Sequence, residues 1–468
     1  MRVCVIGGGI SGLTAGYRLQ SLGAEVEVLE GASCVGGLLG SVHVDGCMVE
    51  TGPDSILTEK PWAITLAEEL GLRDQIIATQ PKQRGAFLVH RGKLSPIPAG
   101  FSLIAPSDLG ALARSPVLST AGKLRAACDL VLPREVHEDE SLESFVVRRL
   151  GRELFDNLAQ PLAGGIYGAD PSKLSLRATM PRFLDFERDY GSVIRGVRAK
   201  QNEAASGVLP MGDPRATNGA RYGLFAAFRG GMQAFVDALA AKLPGRVQTH
   251  STVSALEAVE GGYRVEVQGT VKSYDAVVVA LPAHAAARVL ANFDPALSAE
   301  LAGIEYGSAA TVTLRWKRAA IPHPLDAFGF VVPVNEHRGI IASTWASVKY
   351  AGRAPDDTAL IRVFIGGHRG QHLLAYDDAE LIGIARRELE SLIGVRTAPE
   401  WTLVKRYLNA MPQYHLGHLA RVAKLEQLAN AHVGFALAGN AYRGVGIPDA
   451  VHSGEQAARR IMSQHAVS

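Results

Sequence analysis

Cysteine is scarce in this sequence, and the few cysteines show no pairing pattern. The 468 residues include 4 of them, Cys4, Cys34, Cys47 and Cys128, with no CxxC pair and none after Cys128. This spacing argues against a disulfide framework and against a cysteine-based zinc site. It favours a reducing, cytosolic setting.

Long apolar runs, aromatic residues and an excess of one charge are missing as well. No uninterrupted apolar run of about 18 residues occurs, so no transmembrane helix is expected. The N-terminal residues also lack the pattern of a secretory signal peptide. Lys and Arg total 48 against 46 for Asp and Glu, and aromatics make up 6%. With neither a basic field nor a base-stacking surface, nucleic acid is not an expected partner.

Glycine, in contrast, is abundant, with 50 residues, and its first cluster follows a predicted strand at residues 3–6. Gly7, Gly9 and Gly12 fill the pattern G-x-G-x-x-G and lead into a helical pattern and a second strand that ends at Glu30. Such glycines allow a tight turn, the approach of a pyrophosphate to the backbone, and close packing of helix on strand. The helix N-terminus attracts the pyrophosphate, and the acid binds the ribose.

Two further glycine positions favour FAD over NAD as the dinucleotide. Gly36 and Gly37 come directly after the acidic residue, and Gly52 with Pro53 follows a short apolar stretch. An NAD-dependent dehydrogenase has no need of a second glycine pair at this point. A flavin dinucleotide, which runs on from its pyrophosphate towards a buried ring, does need one.

The rest of the chain changes character several times, and the predicted fold class is α/β. We expect a hairpin with its turn at Arg91–Gly92, a mobile polar loop over residues 196–222, and a return to the nucleotide domain at residues 275–281. The predicted divisions are an FAD-binding domain in three parts (1–75, 225–290 and 406–468), a substrate domain formed by a hairpin (76–99) and an antiparallel sheet (291–405), and a helical insert (100–200) facing the substrate entry or a membrane.

Together these motifs resemble the FAD-dependent amine-oxidase superfamily, whose fold is of the p-hydroxybenzoate-hydroxylase type. Three stretches, at residues 160–175, 328–333 and 412–419, are similar to the oxygen-dependent protoporphyrinogen and coproporphyrinogen oxidases of haem synthesis. The resemblance implies a six-electron oxidation of a porphyrinogen, with oxygen reduced to hydrogen peroxide. It also implies that the flavin carries the chemistry, which agrees with the lack of any recognisable Ser/His/Asp or paired-carboxylate arrangement.

The resemblance also implies site residues. The expected FAD contacts are Gly7, Gly8, Gly9, Ile10, Ser11, Gly12, Glu30, Gly31, Gly37, Leu38, Gly52, Pro53, Asp54, Ser55, Val253, Asn440, Val445, Gly446 and Ile447. The expected substrate contacts are Arg84, Gly165 and Phe330. Members that use protoporphyrinogen often place an arginine where this chain has Ala86. The choice between protoporphyrinogen IX and coproporphyrinogen III therefore stays open.

Other expectations concern the cofactor linkage, metals and partners. The FAD should be non-covalent, because the C-terminal cysteine that links flavin in other members of the superfamily is absent. His415 and His418 are spaced as metal ligands could be, but polar turn contacts are favoured and no metal is predicted. We expect a cytoplasmic enzyme, with a homodimer and hand-off of product to a ferrochelatase as further expectations. The helical region and a poorly soluble product lead us to expect peripheral contact with the inner face of the cell membrane, for which residues 99–113 are the candidate segment.

Two other functions remain open for the sequence. One is an FAD-dependent amine oxidase or carotenoid-type desaturase, and the other is a flavin-free binding protein of the same fold. The intact glycine loop at residues 7–12 argues against the second. The C-terminal stretch at residues 439–458 is interpreted as the other side of the same flavin site, with a new helix directing its N-terminus at the ring.

Overall fold

A five-stranded parallel sheet gathers three distant parts of the chain. The computed structural model describes residues 1–81, 85–205 and 224–465. Within them the strands of this sheet follow the spatial order Val247–Gln248, Glu25–Leu29, Arg2–Ile6, Ala276–Val279 and Phe435–Leu437. The central strand pairs Val5 with Val278 on one side and Val28 on the other. Helices pack on one face of the sheet, and a small three-stranded antiparallel sheet together with further helices covers the other, so the two central strands are almost wholly buried and apolar.

Two helices from opposite ends of the chain pack against each other beside this sheet. They are Ile10–Ser21, which follows the glycine loop, and the C-terminal helix Ile447–His465. A Cβ atom on Gly454 would lie 2.2 Å from the carbonyl oxygen of Ser11, so the two backbones are in direct contact. The C-terminal helix is thereby brought next to the first glycine loop.

A second, seven-stranded sheet is antiparallel except for one pair. Its order is Trp401–Pro412, Tyr306–Lys317, Thr358–Gly366, Ala342–Trp345, Gly329–Val331, Phe87–His90 and Lys93–Pro96. The predicted hairpin is confirmed, with Arg91 and Gly92 at φ values of 52° and 74° in its turn. Its first strand runs parallel to Gly329–Val331. The strand Ile76–Ala78 lies elsewhere, in a small sheet with Ile56–Leu57 and Phe225–Phe228.

Helices dominate residues 109–205 and share an apolar core. They are Leu109–Arg114, Thr120–Ala127, Leu142–Leu150, Arg152–Leu154, Gln160–Tyr167, Leu176–Thr179, Arg182–Tyr190 and Val193–Ala205. The prediction of a loop from residue 196 is wrong as far as residue 205, because the helix continues to Ala205; residues 206–223 lie outside the described part. The wholly buried Arg149 is held by Asp129 at 2.6 Å.

The remaining elements connect these layers. The helices are Trp62–Glu69, Met232–Ala240, Ala283–Val289, Pro295–Ala302, Ala346–Lys349, Gly367–Gly370, Asp378–Ile393 and His418–Asn430. The smaller sheets contain Ser41–Val44 with Cys47–Glu50, Phe101–Ser102 with Ala105–Pro106, and Val253–Val259 with Gly262–Val267 and Thr270–Tyr274. Short tight or wide helical turns occupy Arg73–Gln75, Cys128–Leu130, Phe155–Ala159, Arg318–Ala320, Val334–Glu336 and Gln371–Ala375.

None of the helices in the described ranges is both long enough and apolar enough to cross a bilayer.

Candidate active site

The first glycine loop is held by contacts that only glycine permits. The amide of Gly7 donates to the carbonyl oxygen of Leu29 at 2.8 Å, and its φ is 108°. A Cβ atom on Gly12 would lie 1.9 Å from the carbonyl oxygen of Gly7. One on Gly7 would lie 2.6 Å from the carbonyl oxygen of Ala280. These two glycines therefore set the packing of loop, helix and sheet.

Gly9 differs from its neighbours because its surroundings are open. A Cβ atom there would meet only the Cα atom of Gly37, at 3.9 Å. The second glycine pair lies directly against this loop, since Gly36 donates its amide to the carbonyl oxygen of Gly8 at 2.8 Å. The two glycine stretches thus form one bare backbone surface at the N-terminus of a helix, which is the arrangement that binds a pyrophosphate.

Glu30 closes one end of this surface. Its carboxylate accepts hydrogen bonds from the amides of Gly8 at 2.6 Å and Ala32 at 2.8 Å. The carboxylate is therefore held at the end of the second strand, where it can meet a ribose. The side chain of Val253 is 8% exposed and packs in the core, so only its backbone is available to a ligand.

The stretch from Gly52 to Ser55 joins the cofactor domain to the seven-stranded sheet. A Cβ atom on Gly52 would lie 1.7 Å from the carbonyl oxygen of Leu38. Asp54 is paired with Lys349 at 2.9 Å, and the hydroxyl of Ser55 contacts that of Tyr350 at 2.8 Å.

The charge on Asp54 is held by these neighbours. Burial by itself would raise the pKa of Asp54. The cations Lys349 and Arg362 outweigh that effect and bring the pKa to about 2. Asp54 is therefore an ionised carboxylate at physiological pH.

The C-terminal loop is organised by Tyr414. Its hydroxyl donates to the carbonyl oxygen of Asn440 at 2.7 Å and accepts from the amide of Gly444 at 2.8 Å. The ring of His418 stacks on Tyr414 at 3.9 Å, and its Nε2 atom lies 2.8 Å from the carbonyl oxygen of Tyr442. Burial lowers the pKa of His418. We infer that the neutral ring donates to that carbonyl.

The partner of His415 is Glu305, at 3.7 Å. His415 and His418 therefore each have polar contacts of the kind that the sequence favoured. In the ranges that the structure covers, no group of three or more His, Cys, Asp or Glu side chains is placed to hold a metal ion.

The N-terminus of the last helix already has an anion beside it. Asp449 accepts from the amide of Gly446 at 3.3 Å and pairs with Lys60 at 2.6 Å. A carboxylate in the first turn of a helix offsets the partial positive charge of its N-terminus. The expectation that this helix end is free to stabilise negative charge on the flavin therefore needs correction. Val445, Gly446 and Ile447 can still offer backbone and surface to the ring.

A cleft of about 390 Å³ lies between the helical region and the seven-stranded sheet. The helix Gln160–Tyr167 forms one side, and residues 332–341 and 366–373 form the others. Gly165 lines it as expected, and a Cβ atom there would meet Val331 at an ordinary 3.7 Å. Among the described residues outside its own helix, only Val331 lies within 4 Å of that position.

The walls of the cleft are basic. Two arginines and three histidines line it, and no acidic residue does so in the described ranges: Arg338, Arg369, His337, His368 and His372. The charge of Arg338 is already matched, because Glu388 lies 2.6 Å away. Burial lowers the pKa of His368. The free cation at the mouth is Arg369, which is exposed and has no ion pair with any described residue.

Of the other two predicted substrate contacts, one lies outside the described residues and one faces away from the cleft. Arg84 falls outside the described residues. Phe330 is 2% exposed and packs with Trp345 in the core on the far face of the sheet. Successive residues of a strand face opposite sides of the sheet, so Val331, the neighbour of Phe330, faces Gly165 instead. The prediction for Phe330 is corrected accordingly.

Comparison with known proteins decides the family. Residues 10–462 match the family described as flavin containing amine oxidoreductase. The chain belongs to this family.

The family's relatives cover nearly the whole chain. A coproporphyrinogen III oxidase of Bacillus subtilis is 32% identical, over 97% of this chain and 96% of its own length. One from Propionibacterium freudenreichii is 35% identical, over 98% and 90%. A crystal structure from Exiguobacterium sp., provisionally assigned as a protoporphyrinogen oxidase, superposes with a TM-score of 0.87 at 27% identity and covers 99% of both chains.

FAD is the cofactor of this flavin oxidoreductase, and the residues present fit it. The bare surface at Gly9 and Gly37 accommodates a pyrophosphate, and Glu30 stands where the ribose would lie. Sequence reasoning missed the basic residues of the cleft, Tyr414 as an organiser, and Arg362. Arg362 lies inside a predicted strand, where a single arginine does not indicate a functional residue. Tyr414 lies in the stretch at residues 412–419, whose similarity to the porphyrinogen oxidases does not indicate what this residue does.

Proposed function

We propose that this protein is an FAD-dependent, oxygen-dependent porphyrinogen oxidase of haem biosynthesis. Its substrate is coproporphyrinogen III, which it oxidises by six electrons to coproporphyrin III with release of hydrogen peroxide. The observation that carries the proposal is the cleft beside Gly165, which is lined by basic residues, offers the unpaired Arg369 at its mouth, and has no acidic lining residue in the described ranges. Its volume of about 390 Å³ is in the range of small-molecule sites.

The charge of the cleft supports coproporphyrinogen over protoporphyrinogen. Coproporphyrinogen carries four propionates and protoporphyrinogen two, so the former gains more from a basic wall. Arg369 is a free cation at the mouth, and His368 and His372 lie beside it. The family's other anchor position is Ala86, which has no charge to offer. The relatives named for coproporphyrinogen III agree with this choice.

The chain's own residues bind and orient rather than transfer protons. When bound, FAD accepts hydride equivalents from the substrate and passes them to oxygen. The glycine surface and Glu30 hold the dinucleotide, while Gly165 leaves room for a flat macrocycle. The basic wall holds the propionates at the mouth, so that the apolar ring carbons enter first. An apolar ring is stable in the dry interior, whereas its carboxylates need cationic partners.

Anaerobic reduction of the flavin tests this proposal. The purified holoenzyme is mixed without oxygen with coproporphyrinogen III, protoporphyrinogen IX or benzylamine, and bleaching of the flavin band is followed. We expect the fastest bleaching with coproporphyrinogen III. On admission of air, about three molecules of peroxide should form per porphyrin, since each flavin turnover removes two electrons. Bleaching by the amine alone would refute the proposal in favour of an amine oxidase.

Peripheral membrane contact is a separate part of the proposal. The segment at residues 99–113 is a poor membrane anchor, because Ile104 and Leu112 are buried in the helical core. Elsewhere in the helical region Leu124, Val131 and Val136 are 66%, 82% and 91% exposed. We expect these three side chains to make any such contact. In a flotation assay with anionic liposomes, the wild type should rise with the liposomes. A triple variant with serine at these positions should remain in the dense fraction.

The homodimer and the hand-off of product to a ferrochelatase stay predictions. Sedimentation analysis of the holoenzyme, with and without a ferrochelatase, measures both.

A further inference from the structure

A buried arginine on the seven-stranded sheet has a nitrogen without a partner. Arg362 lies on the strand Thr358–Gly366 and is 6% exposed. Its Nη1 atom donates to the carbonyl oxygen of Gly52 at 2.6 Å, and its guanidinium lies 5.0 Å from the ring centre of Phe364. The Nε atom is buried and makes no hydrogen bond with any described residue. A buried N–H group of a cation is costly to leave unpaired.

The surroundings of Arg362 carry more positive than negative charge. Asp54 is close enough that both Lys349 and Arg362 lower its pKa, and it pairs directly with Lys349. Two cations therefore share one carboxylate. The hydroxyl of Tyr407 is buried close to the side chains of Arg362 and Thr311 and interacts with both, although no hydrogen bond of good geometry forms to the described residues. A ligand with an acceptor atom or a negative charge would complete this cluster.

The position of Arg362 favours the flavin as that ligand. Gly52, to which it is bonded, begins the stretch expected to contact FAD. Along the strand, Arg362 and Phe364 face the same side as Gly366, which lines the cleft. Arg362 thus lies between the cofactor stretch and the substrate cleft, on the opposite sheet face from the apolar core around Phe330. The propionates of a substrate have Arg369 at the mouth instead.

We propose that Arg362 is a flavin-contacting residue, whose Nε–H donates to a carbonyl oxygen of the isoalloxazine ring and whose charge stabilises the ring after reduction. Oxidised FAD takes up two electrons and one proton, which leaves one negative charge on the ring. The electrons come from the substrate, or from dithionite in the test below. A fixed cation in a dry site lowers the free energy of that charge. This inference rests on the FAD part of the proposed function and does not depend on the identity of the substrate.

The experiment compares Arg362→Gln, Arg362→Lys and a control, Arg315→Gln. Arg315 lies on the neighbouring strand of the same sheet and pairs with Asp45 at 3.3 Å and Glu400 at 3.4 Å. Its Nε atom, like that of Arg362, makes no hydrogen bond with the described residues, but these two carboxylates neutralise its charge. Each holoenzyme is titrated with dithionite against a redox dye to measure the two-electron midpoint potential. Sulfite, which adds to the ring and leaves it negatively charged, supplies a second readout. Neither measurement uses a porphyrinogen.

We expect Arg362→Gln to weaken sulfite binding at least tenfold. A tenfold loss in the stabilisation of the reduced ring corresponds to a fall of about 30 mV in the midpoint potential. Arg362→Lys keeps the charge and should lose less, and Arg315→Gln should match the wild type. If Arg362→Gln is purified without flavin, its dissociation constant for added FAD replaces the potential. A rise of at least tenfold over the control then supports the proposal.

Two results would overturn the inference. One is an Arg362→Gln holoenzyme, or its apoprotein titrated with FAD, that behaves like the Arg315→Gln control. The other is an unchanged potential together with weakened binding of coproporphyrin III, measured by fluorescence quenching. That outcome would assign Arg362 to a substrate carboxylate. If the variants change the midpoint potential and sulfite binding as expected, but the wild type oxidises no porphyrinogen, this inference holds and only the proposed function is contradicted.

Discussion

Arg369→Gln offers the sharpest test of how the cleft selects its substrate. Arg369 is exposed at the mouth and unpaired within the described part of the chain, so its charge is available to an incoming carboxylate. Two unit charges about 4 Å apart interact by about 1 kcal/mol in water and about 4 kcal/mol near a protein surface. Because the site is open, we take a value near the lower end, about 1.4 kcal/mol, which is a factor of about ten in affinity.

The expected result is a change in KM that depends on the substrate. With coproporphyrinogen III, kcat/KM of Arg369→Gln should fall about tenfold, mostly through KM, since the arginine lies away from the flavin stretch. With protoporphyrinogen IX the fall should be less than about threefold. Raising the ionic strength should reduce the difference in KM between variant and wild type, because salt screens the interaction between exposed charges.

Two companion variants control for general charge effects. Glu388→Gln removes the carboxylate that holds Arg338, which frees a second cation in the cleft, and should lower the KM for coproporphyrinogen III. Arg386→Gln removes an exposed charge that does not line the cleft and should change neither substrate's KM. Equal losses for both porphyrinogens in Arg369→Gln, or no loss for either, would refute the role of the basic wall in selection.

Three further predictions concern the cofactor and the scaffold. Gly9→Ala should fold normally, because its Cβ would enter open space, and should lose FAD affinity, because that space is where the pyrophosphate is expected. Gly12→Ala should misfold, because its Cβ would lie 1.9 Å from a backbone oxygen. Flavin absorbance and circular dichroism report both. Arg149→Met should lower the free energy of unfolding by about 3–5 kcal/mol, because it leaves Asp129 buried without its cation. Denaturation followed by ultrafiltration should release all of the flavin, since the chain has no cysteine after Cys128.

Each of these has a matched comparison. Arg188→Met removes an arginine whose side chain is 66% exposed and paired only at the surface, so its effect on the free energy of unfolding should be much smaller than that of Arg149→Met. If Arg149→Met and Arg188→Met lower the free energy of unfolding equally, the buried pair of Arg149 and Asp129 contributes no more to stability than an exposed pair does. If Gly9→Ala has wild-type flavin content, Gly9 does not contribute to FAD binding. If the denatured chain retains flavin, the cofactor is linked covalently.

Local patterns were enough to predict the cofactor side of the molecule. The order of strand, glycine loop, helix and strand around Gly7–Gly12 depends on neighbouring residues alone, and the structure has it as expected. The turn at Arg91–Gly92 likewise needs only the tolerance of glycine for positive φ. The second glycine pair could be assigned to a flavin, and the structure places Gly36 against Gly8.

Long-range placement was beyond the same patterns. The strand Gly329–Val331 reads as apolar throughout, so nothing local tells which of Phe330 and Val331 faces the cleft. The charge that offsets the C-terminal helix end comes from Asp449 within that helix and Lys60 from far along the chain. Residues 196–222 are polar, rich in glycine and proline and poorly periodic, which predicts a loop, whereas in the structure the helix continues to Ala205.

What the sequence determined by itself is the dinucleotide chemistry of this protein, because a pyrophosphate is bound by backbone amides whose exposure depends on glycine at fixed short spacings. The basic cleft beside Gly165 was decided only by the tertiary structure. Its walls come from a helix near residue 165 and from two strand ends near residues 335 and 368, and no spacing along the chain encodes their approach. The pairing state of each cation was decided in the same way. Arg338 is neutralised by Glu388, 50 residues away on a helix. Within the part of the chain that the structure describes, Arg369 has no ion pair and the buried Arg362 has one nitrogen without a hydrogen bond.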